Sequence, residues 1–283
     1  MTVSVIVPVF NAAAHTAECL QRLESQVPDS WAVQIVNDAS TDREIAPLLA
    51  QVCERNPGWQ LITHFENQGF VRSCNEAVQR CRSADHVLLL NTDTLPNRHS
   101  LINMHHALIS DPAIGTVTPF SNNAEICSLP VFCQNNPLPA QPDKVAELLA
   151  SNAALLPAIP TAVGFCMLIR RELISKIGLF DADHFGRGYG EENDFCLRAS
   201  AAGYSHVLCD NAYVPHVGGA SFGPLGLQPG PDTMARLVQR HPVYPELISD
   251  FIQRDPCRPA RERAIEHLSS QGVYLTDTPQ KAR

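Results

Sequence analysis

What most constrains this chain is a repeated switch of hydrophobic period. Short continuous apolar runs, the mark of strands covered on both faces, alternate with segments whose apolar residues recur every three or four positions. Val3 to Val9 reads as a first strand, Trp31 to Val36 as a second, Gln60 to His64 as a third and Val87 to Leu90 as a fourth, with Gly115 to Thr118 closing the series. Between them Ala17, Leu20 and Leu23 repeat at helical spacing, and Leu48 to Cys53 lies on the next helix. Gly69 to Cys81 puts Val71, Cys74, Ala77, Val78 and Cys81 on one helical face, and Leu101 to Ile109 is again helical. Strand and helix in strict succession predict βαβ units around a mostly parallel central sheet flanked by helices, an α/β fold. Pro8 falls near the end of its strand, where a missing ladder donor is tolerated, and Asn11 is placed to cap the first helix.

A chain of 283 residues is long enough for one large α/β core, alone or with an appendage. Ser121 to Pro142 carries four prolines and four asparagines and predicts a long loop of the kind used for binding. Regular structure resumes with a short helix near Asp143 to Ala150, an apolar run from Ala162 to Ile169 and a helix from Arg171. Gly218 to Pro231, rich in glycine and proline, is expected to be mobile or ordered by ligand; residues 232–267 are helical in pieces, and the last dozen form a tail. The expected division is 1–225, with halves 1–120 and 121–225, followed by a C-terminal helical extension and tail over 226–283.

A formal charge of -8 and a pI near 5.7 argue against nucleic acid as a partner, since neutralising phosphates needs a basic face. Ten cysteines are scattered through core-like segments such as those around Cys19, Cys74, Cys81, Cys166 and Cys196, so reduced thiols in a cytosolic protein are expected rather than a disulfide framework. No charged leader with a small-residue cleavage site precedes Val3 to Phe10, and no apolar run approaches the ~20 residues of a membrane span. The expectation is a cytoplasmic protein, with association at the inner face of a membrane left open.

Three features carry chemistry. Asn91-Thr92-Asp93 follows the run His86 to Leu90, so its carboxylate falls at the carboxyl end of a buried strand, where open α/β sheets bind ligands and a divalent metal is naturally held. Glu191-Glu192-Asn193-Asp194 opens a helix and supplies a carboxylate for proton transfer, and His216 is placed to complete a metal shell. Asp38, at the end of the second strand, can accept from a nucleobase N–H or a ribose hydroxyl, while Asp42 reads as a cap. Arg72 either reaches a phosphate or faces solvent. Asn122-Asn123 either touch sugar hydroxyls or serve the turn, and Tyr189, in the block Gly186 to Gly190, is placed to stack on a sugar. His105-His106 read as a surface pair without a third ligand, and Asp194 and Arg198, four apart on one helix, as an ion pair or clamp.

Taken in order, Val5 to Asn11, Val36 to Asp42, Asn67-Gln68-Gly69-Phe70 with Asn75, Leu88 to Thr94, and Gly190 to Arg198 resemble the family 2 glycosyltransferases from about Thr2 to Phe222. The Asn67-Gly69-Phe70 segment and the ending His216-Gly218-Gly219-Ser221 are most similar to bacterial rhamnosyl- and galactofuranosyl-type members. The resemblance implies a GT-A fold, a Rossmann-like nucleotide-sugar half joined to an acceptor half, and an inverting single displacement. It further implies that Pro8, Phe10 and Asn11 line the nucleoside pocket and that Asp38 holds base or ribose. Asn67, Gly69 and Thr92 belong to the same donor site. Asp93 matches the last acidic position of the family's D-x-D metal motif; Asn91 replaces the first and would bond the donor's ribose or sugar. Glu192, where the family more often has Asp, would be the general base for the acceptor hydroxyl, with Glu191 holding a hydroxyl beside it. His216 would join Asp93 on Mn2+ or Mg2+, and Ser221 with the Gly218-Gly219 backbone would bond diphosphate oxygens.

The function so implied is a metal-dependent transferase moving a sugar from a UDP- or dTDP-linked donor to a hydroxyl of a growing cell-surface glycan, free or lipid-linked. The sequence would also suit one catalytic domain of a longer transferase. Two alternatives stand beside it. A sugar-phosphate nucleotidyltransferase would carry a glycine-rich basic loop where this chain has Phe10-Asn11-Ala12-Ala13-Ala14. A catalytically silent glycan- or nucleotide-binding module would have no need of Asp38, Asp93, Glu192 and His216 together.

Overall fold

The computed structural model describes residues 2–186, 188–218 and 231–275. Strands β1 (Val3–Val9), β2 (Ala32–Asn37), β3 (Gln60–Thr63) and β4 (His86–Leu90) lie parallel in the order β3-β2-β1-β4. Helices α1 (Ala13–Gln26), α2 (Ile45–Arg55) and α3 (Phe70–Arg80) make the connections, and α4 (Arg98–Ser110) follows β4. The sheet continues through β7 (Cys166–Ile169), antiparallel to β4, then β5 (Ile114–Phe120), β8 (Ser205–Tyr213) and the two-residue β6 (Ala158–Ile159), giving eight strands among the described residues. The β5–β8 pair is parallel and β6 runs antiparallel to β8.

Period-two alternation explains why the strands read as unbroken apolar runs. Val3, Val5, Val7 and Val9 of β1 with Leu88 and Leu90 of β4 join the core on one face. Ile6, Val87 and Leu89 join a second core on the other, with Val71, Cys74, Ala77 and Val78 of α3. Both faces are covered, so no position along the strand needs to be polar. Pro8 pairs with Val36 of β2, but the β1–β4 register stops at Ile6, so the proline interrupts no central ladder.

The second half differs more from expectation. β8, on the sheet's far side, was not anticipated, because Asp210 and Asn211 break its apolar pattern; Asp210 is buried and receives the backbone N–H groups of Leu155 and Leu156. The loop after β5 is as long as expected but packed, with a short 3-10 turn at Glu125–Cys127 and buried Ile126, Cys127 and Leu129 before α5 (Pro142–Ala150). After β7 come α6 (Arg171–Ile177), α7 (Ala182–Phe185) and α8 (Glu191–Ala201). Helices α9 (Pro231–Arg240), α10 (Tyr244–Arg254) and α11 (Arg258–Ser270) form the C-terminal helical part. Phe251, Ala260, Ala264 and Leu268 enter the same core as β1 and β4, and so do Val273 and Leu275 from the expected tail. Most of Gly218 to Pro231, expected to be mobile or ligand-ordered, lies outside the described residues.

Two local expectations are corrected. Asn11 does not cap α1. It and Ala12 both take left-handed backbone, which turns its side chain away from the helix; Asn11 Oδ1 accepts instead from the N–H groups of Thr41 (2.8 Å) and Asp42 (2.9 Å). Asp42 supplies the cap across space, accepting from Ala13 N at 3.4 Å and from Glu44 N at 3.0 Å. His105 is not a surface residue. Its ring is half-buried between Trp31 and His86, each 5.9 Å away by ring centroid, and burial lowers its pKa.

Candidate active site

Parallel register brings the carboxyl ends of β1, β2, β3 and β4 to one edge of the sheet. Phe10 and Asn11, Asp38, His64 with Asn67, and Asn91 to Asp93 therefore emerge side by side, beside the point where strand order reverses between β1 and β4. β7 runs the opposite way, so the residues just before it, Gly164 and Phe165, meet the same edge; Phe165 O accepts from Asn91 N at 2.9 Å.

Asn91 to Thr94 forms a tight turn off β4, its Asn91 carbonyl accepting from Thr94 N (3.3 Å) and Thr94 Oγ1 (2.6 Å). Thr92 and Asp93 are buried. The turn is continued by ladder contacts to the segment after β8: Leu95 N donates to Pro215 O, Val217 N to Asp93 O, and Thr94 bridges His216, all fixing His216 opposite Asp93. Asp93 Oδ1 and His216 Nε2 lie 3.3 Å apart. The other ring nitrogen, Nδ1, is 2.6 Å from Asn123 O, so Nδ1 carries a hydrogen and Nε2 is the nitrogen that faces Asp93. Burial opposes the charged ring, but the Asp93 carboxylate and the Asn123 carbonyl outweigh it and raise the His216 pKa. Asn122 brackets the histidine's backbone, accepting from His216 N and donating to His216 O, and Phe165 stacks on the ring at 4.9 Å.

Of the alternatives for Asn122-Asn123, the structure assigns these side chains to holding the 216–218 segment. Gly218, at φ +82°, completes the arrangement, since a Cβ there would collide with the Asn123 side chain. The polar pair was visible in sequence, but its partner, the segment at 216–218, was not.

A carboxylate and an imidazole nitrogen whose partner nitrogen is tied to a backbone carbonyl are the donor set that divalent metals use with orienting support behind the histidine. No third His, Cys, Asp or Glu joins them among the described residues, which leaves the other coordination positions for water or phosphate oxygens.

Glu191 and Glu192 are the first two residues of α8, behind Gly190, whose left-handed φ of +94° and 3.2 Å approach of a would-be Cβ to Phe185 require glycine. Neither Oε2 atom has a hydrogen-bond partner among the described residues. Burial pushes the Glu192 carboxyl up to about 7, and burial with the neighbouring charge of Glu192 raises Glu191 well above the carboxylate range. A Cβ added at Gly164 would stand 3.9 Å from Glu192 Cγ, so this glycine borders Glu192, while its neighbour Phe165 stacks on His216; the two residues before β7 thus lie between the acidic pair and the Asp93–His216 pair. Asp194, fully buried, accepts from Arg198 at 2.8 Å and His241 at 2.9 Å; it is a clamp, as the spacing suggested, and it also reaches the C-terminal helices.

The other expected residues sort as follows. Asp38 is buried, its Oδ1 accepting from Gln68 N and its Oδ2 from Gly69 N, both at 2.8 Å, so it shapes the Asn67–Gly69 loop. Pro8, Phe10, Asn11, Asn67 and Asn91 are half-buried at the sheet edge. Asn75 bonds the backbone of Phe180 in both directions, tying α3 to the chain before α7. Arg72 does not turn toward the strand ends; it pairs at the surface with Asp183 at 2.7 Å. Tyr189 takes left-handed backbone, φ 72°, just before the acidic pair. Ser221 lies outside the described residues.

A Myxococcus xanthus O-antigen biosynthesis protein, RfbC, is 26% identical over 204 residues, which is 71% of this chain but 14% of that protein. Among solved structures, a Pyrobaculum calidifontis mannosyltransferase, PcManGT, in complex with GDP-Man and Mn2+, matches with a TM-score of 0.61 and 18% identity over 96% of this chain and 76% of its own. GalNAc-T7 with UDP, GalNAc and Mn2+ matches with a TM-score of 0.66 and 13% identity over 98% of this chain and 52% of its own. The fold is GT-A, as expected. Residues 4–178, more than half of the chain, match the family described as Glycosyl transferase family 2. The chain belongs to glycosyl transferase family 2 and is a glycosyltransferase, which sets the nucleotidyltransferase alternative aside.

Proposed function

We propose that the protein inverts the anomeric carbon of a nucleoside-diphosphate sugar, UDP- or dTDP-linked, while transferring the sugar to a hydroxyl of a growing cell-surface glycan. The observation that carries this is the joining of two unlike acidic groups through Gly164 and Phe165: a neutral-range carboxyl on one side and an Asp–His pair on the other. An acceptor hydroxyl is too weak an acid to ionise near pH 7. Glu192 takes its proton as the oxygen attacks C1 from the face opposite the diphosphate, so one O–C1 bond forms while the bond from C1 to the phosphate oxygen breaks. Glu191, held neutral by burial, offers its O–H to a neighbouring sugar hydroxyl.

Asp93 and His216 are the residues that would hold Mn2+ or Mg2+, and a bound divalent ion supplies positive charge beside the leaving diphosphate. Asn91 and Thr92 on the same turn, and Pro8, Phe10, Asn11, Asp38, Asn67 and Gly69 along the strand ends, line the donor side. The O-antigen context of the Myxococcus relative supports a surface glycan as acceptor, and the manganese and nucleotide in the two solved structures support the metal and the donor class. Ten free cysteines, of which Cys133 is the exposed one, fit a reducing cytoplasm; no helix among the described residues is long and apolar enough to cross a membrane.

Calorimetric titration with UDP and dTDP, each with and without Mn2+, tests the proposal. Metal-dependent binding of one nucleotide is expected, and Asp93→Ala should remove the metal-dependent part. Equal binding with and without Mn2+ in the parent protein would refute the metal's role.

A further inference from the structure

One histidine at the donor edge has no place in the family likeness. His64 follows β3, its ring nearly buried with 8% of the side chain exposed, and both ring nitrogens meet carboxylates: Nδ1 lies 2.8 Å from Asp38 Oδ1 and Nε2 lies 2.9 Å from Glu76 Oε2. Glu76 in turn pairs through Oε1 with Arg80 at 2.6 Å. The line of contacts runs from solvent, where Arg80 and Glu76 stand on α3, inward through His64 to Asp38 and so to the N–H groups of Gln68 and Gly69. A carboxylate oxygen only accepts, so two such partners require a hydrogen on each ring nitrogen, and the imidazolium is the form that fits. Three of the roughly four acceptor positions of Asp38 are then filled, which leaves one on Oδ2.

We propose that His64 is a positioning residue for donor binding: as an imidazolium between Asp38 and Glu76 it fixes the Asp38 carboxylate, and with it the Asn67–Gly69 loop, so that the remaining lone pair meets an N–H or O–H of the donor's nucleoside. This rests on Asp38 being the nucleoside contact. The groups facing His64 are Asp38 from the end of β2 and Glu76 from α3, with Arg80 behind Glu76; Glu66 in the connecting loop bonds the Gln68 side chain. Without the His64 ring, the Asp38 carboxylate loses one of its three fixed contacts and is free to turn away from the Asn67–Gly69 loop.

The test measures UDP and dTDP affinity by calorimetry and kcat and KM for the donor, in the parent and in His64→Gln, Glu76→Gln and Asp38→Asn. In His64→Gln the donor Kd and KM should rise about tenfold, the effect of losing one charge-assisted hydrogen bond, with kcat at saturating donor kept. Glu76→Gln, at a part-exposed site, should raise Kd and KM in the same direction by a smaller factor. If Asp38→Asn weakens binding while both other variants match the parent in Kd and KM, the role of His64 is overturned and the donor site stands. If Asp38→Asn also binds as the parent does, the nucleoside assignment of Asp38 fails and the inference with it. A fall in kcat at unchanged KM in His64→Gln would equally overturn it.

Discussion

At the scale of single residues, Glu192 is where burial and chemistry meet. A base that works near neutral pH needs a pKa near 7, and burial at the start of α8 puts this carboxyl there. Glu192→Gln keeps shape and volume but cannot take the proton, so kcat should fall by at least about a hundredfold while nucleotide affinity is retained; steady-state rates beside a calorimetric titration decide it. In the parent enzyme kcat/KM should fall as pH drops through about 7, because the protonated form is inactive. Stability should follow the opposite course. The folded value of about 7 lies above the unfolded 4.5, so the folded state holds the proton more tightly. That contribution is full below pH 4.5 and is lost as pH rises through 7. Glutamine stays neutral throughout, so thermal melts should find Glu192→Gln more stable than the parent at pH 8 and close to it at pH 4; a parent at least as stable at pH 8 would contradict the buried carboxyl. The positions of Asp93 at the end of β4 and Glu192 at the start of α8 were legible in sequence because each stands at a recognisable element boundary, whereas His216 was marked out only by the family likeness. The partners of Asn122, Asn123, Phe165 and His64 were not legible, since they lie 94, 93, 51 and 26 residues distant in the chain, and no local pattern encodes such pairings.

At the scale of elements, α8 carries Glu192, the proposed base, and its hold on the rest of the molecule is polar. Asp194, with no exposed surface, accepts from Arg198 Nε and His241 Nε2 and lies 3.3 Å from Arg240 Nε, joining α8 to the end of α9 and the turn after it. Arg198 reaches on to the carbonyls of Ile177 and Leu179, so one carboxylate organises α6, α8 and α9. Asp194→Ala leaves those cations facing each other without their shared anion. Because Arg198 and His241 keep part of their solvent contact, the cost should be about 2–4 kcal/mol rather than the full penalty of a dry pair, visible as a lowered denaturation midpoint and a reduced kcat. Unchanged stability would mean that apolar packing alone seats α8. The Asp194–Arg198 half of this clamp could be read from its four-residue spacing; the His241 half could not, because it closes over 47 residues. The same contrast separates the strands. β1 to β4 are covered on both faces and announce themselves as apolar runs, whereas β8 carries Asp210 at a buried position where it serves as an acceptor for a neighbouring loop and for Arg263 of α11, and its pattern is broken for that reason.

For the whole molecule, the question is whether the three C-terminal helices are an appendage or part of the core. Composition and periodicity mark residues 226–283 as a separate stretch after a glycine- and proline-rich break, and that much follows from the sequence. Where the stretch packs does not, because an amphipathic helix declares that it has an apolar face without declaring its partner. Phe251, Ala260, Ala264, Leu268, Val273 and Leu275 belong to one apolar cluster with Val5, Val7 and Leu90, the strands that carry the candidate site. Arg261 lies over the Phe132 ring at 4.7 Å, and Arg263 pairs with buried Asp210 of β8, so polar contacts accompany the apolar ones. Leu268, 1% exposed, is the cleanest probe. Leu268→Ala removes buried methyl groups from a site walled by sheet and helix, and the loss should be about 2–4 kcal/mol in a single cooperative transition that also carries the nucleotide-binding half. An independent extension would instead give two transitions, with only the minor one shifted. Denaturant unfolding followed separately by tryptophan fluorescence, from Trp31 and Trp59 beside β2 and β3, and by far-ultraviolet circular dichroism distinguishes the two, since both tryptophans lie in the first half. Coincident curves that move together in Leu268→Ala would make the C-terminal helices part of the unit that holds the catalytic edge in place, and separate curves would make them a removable appendage.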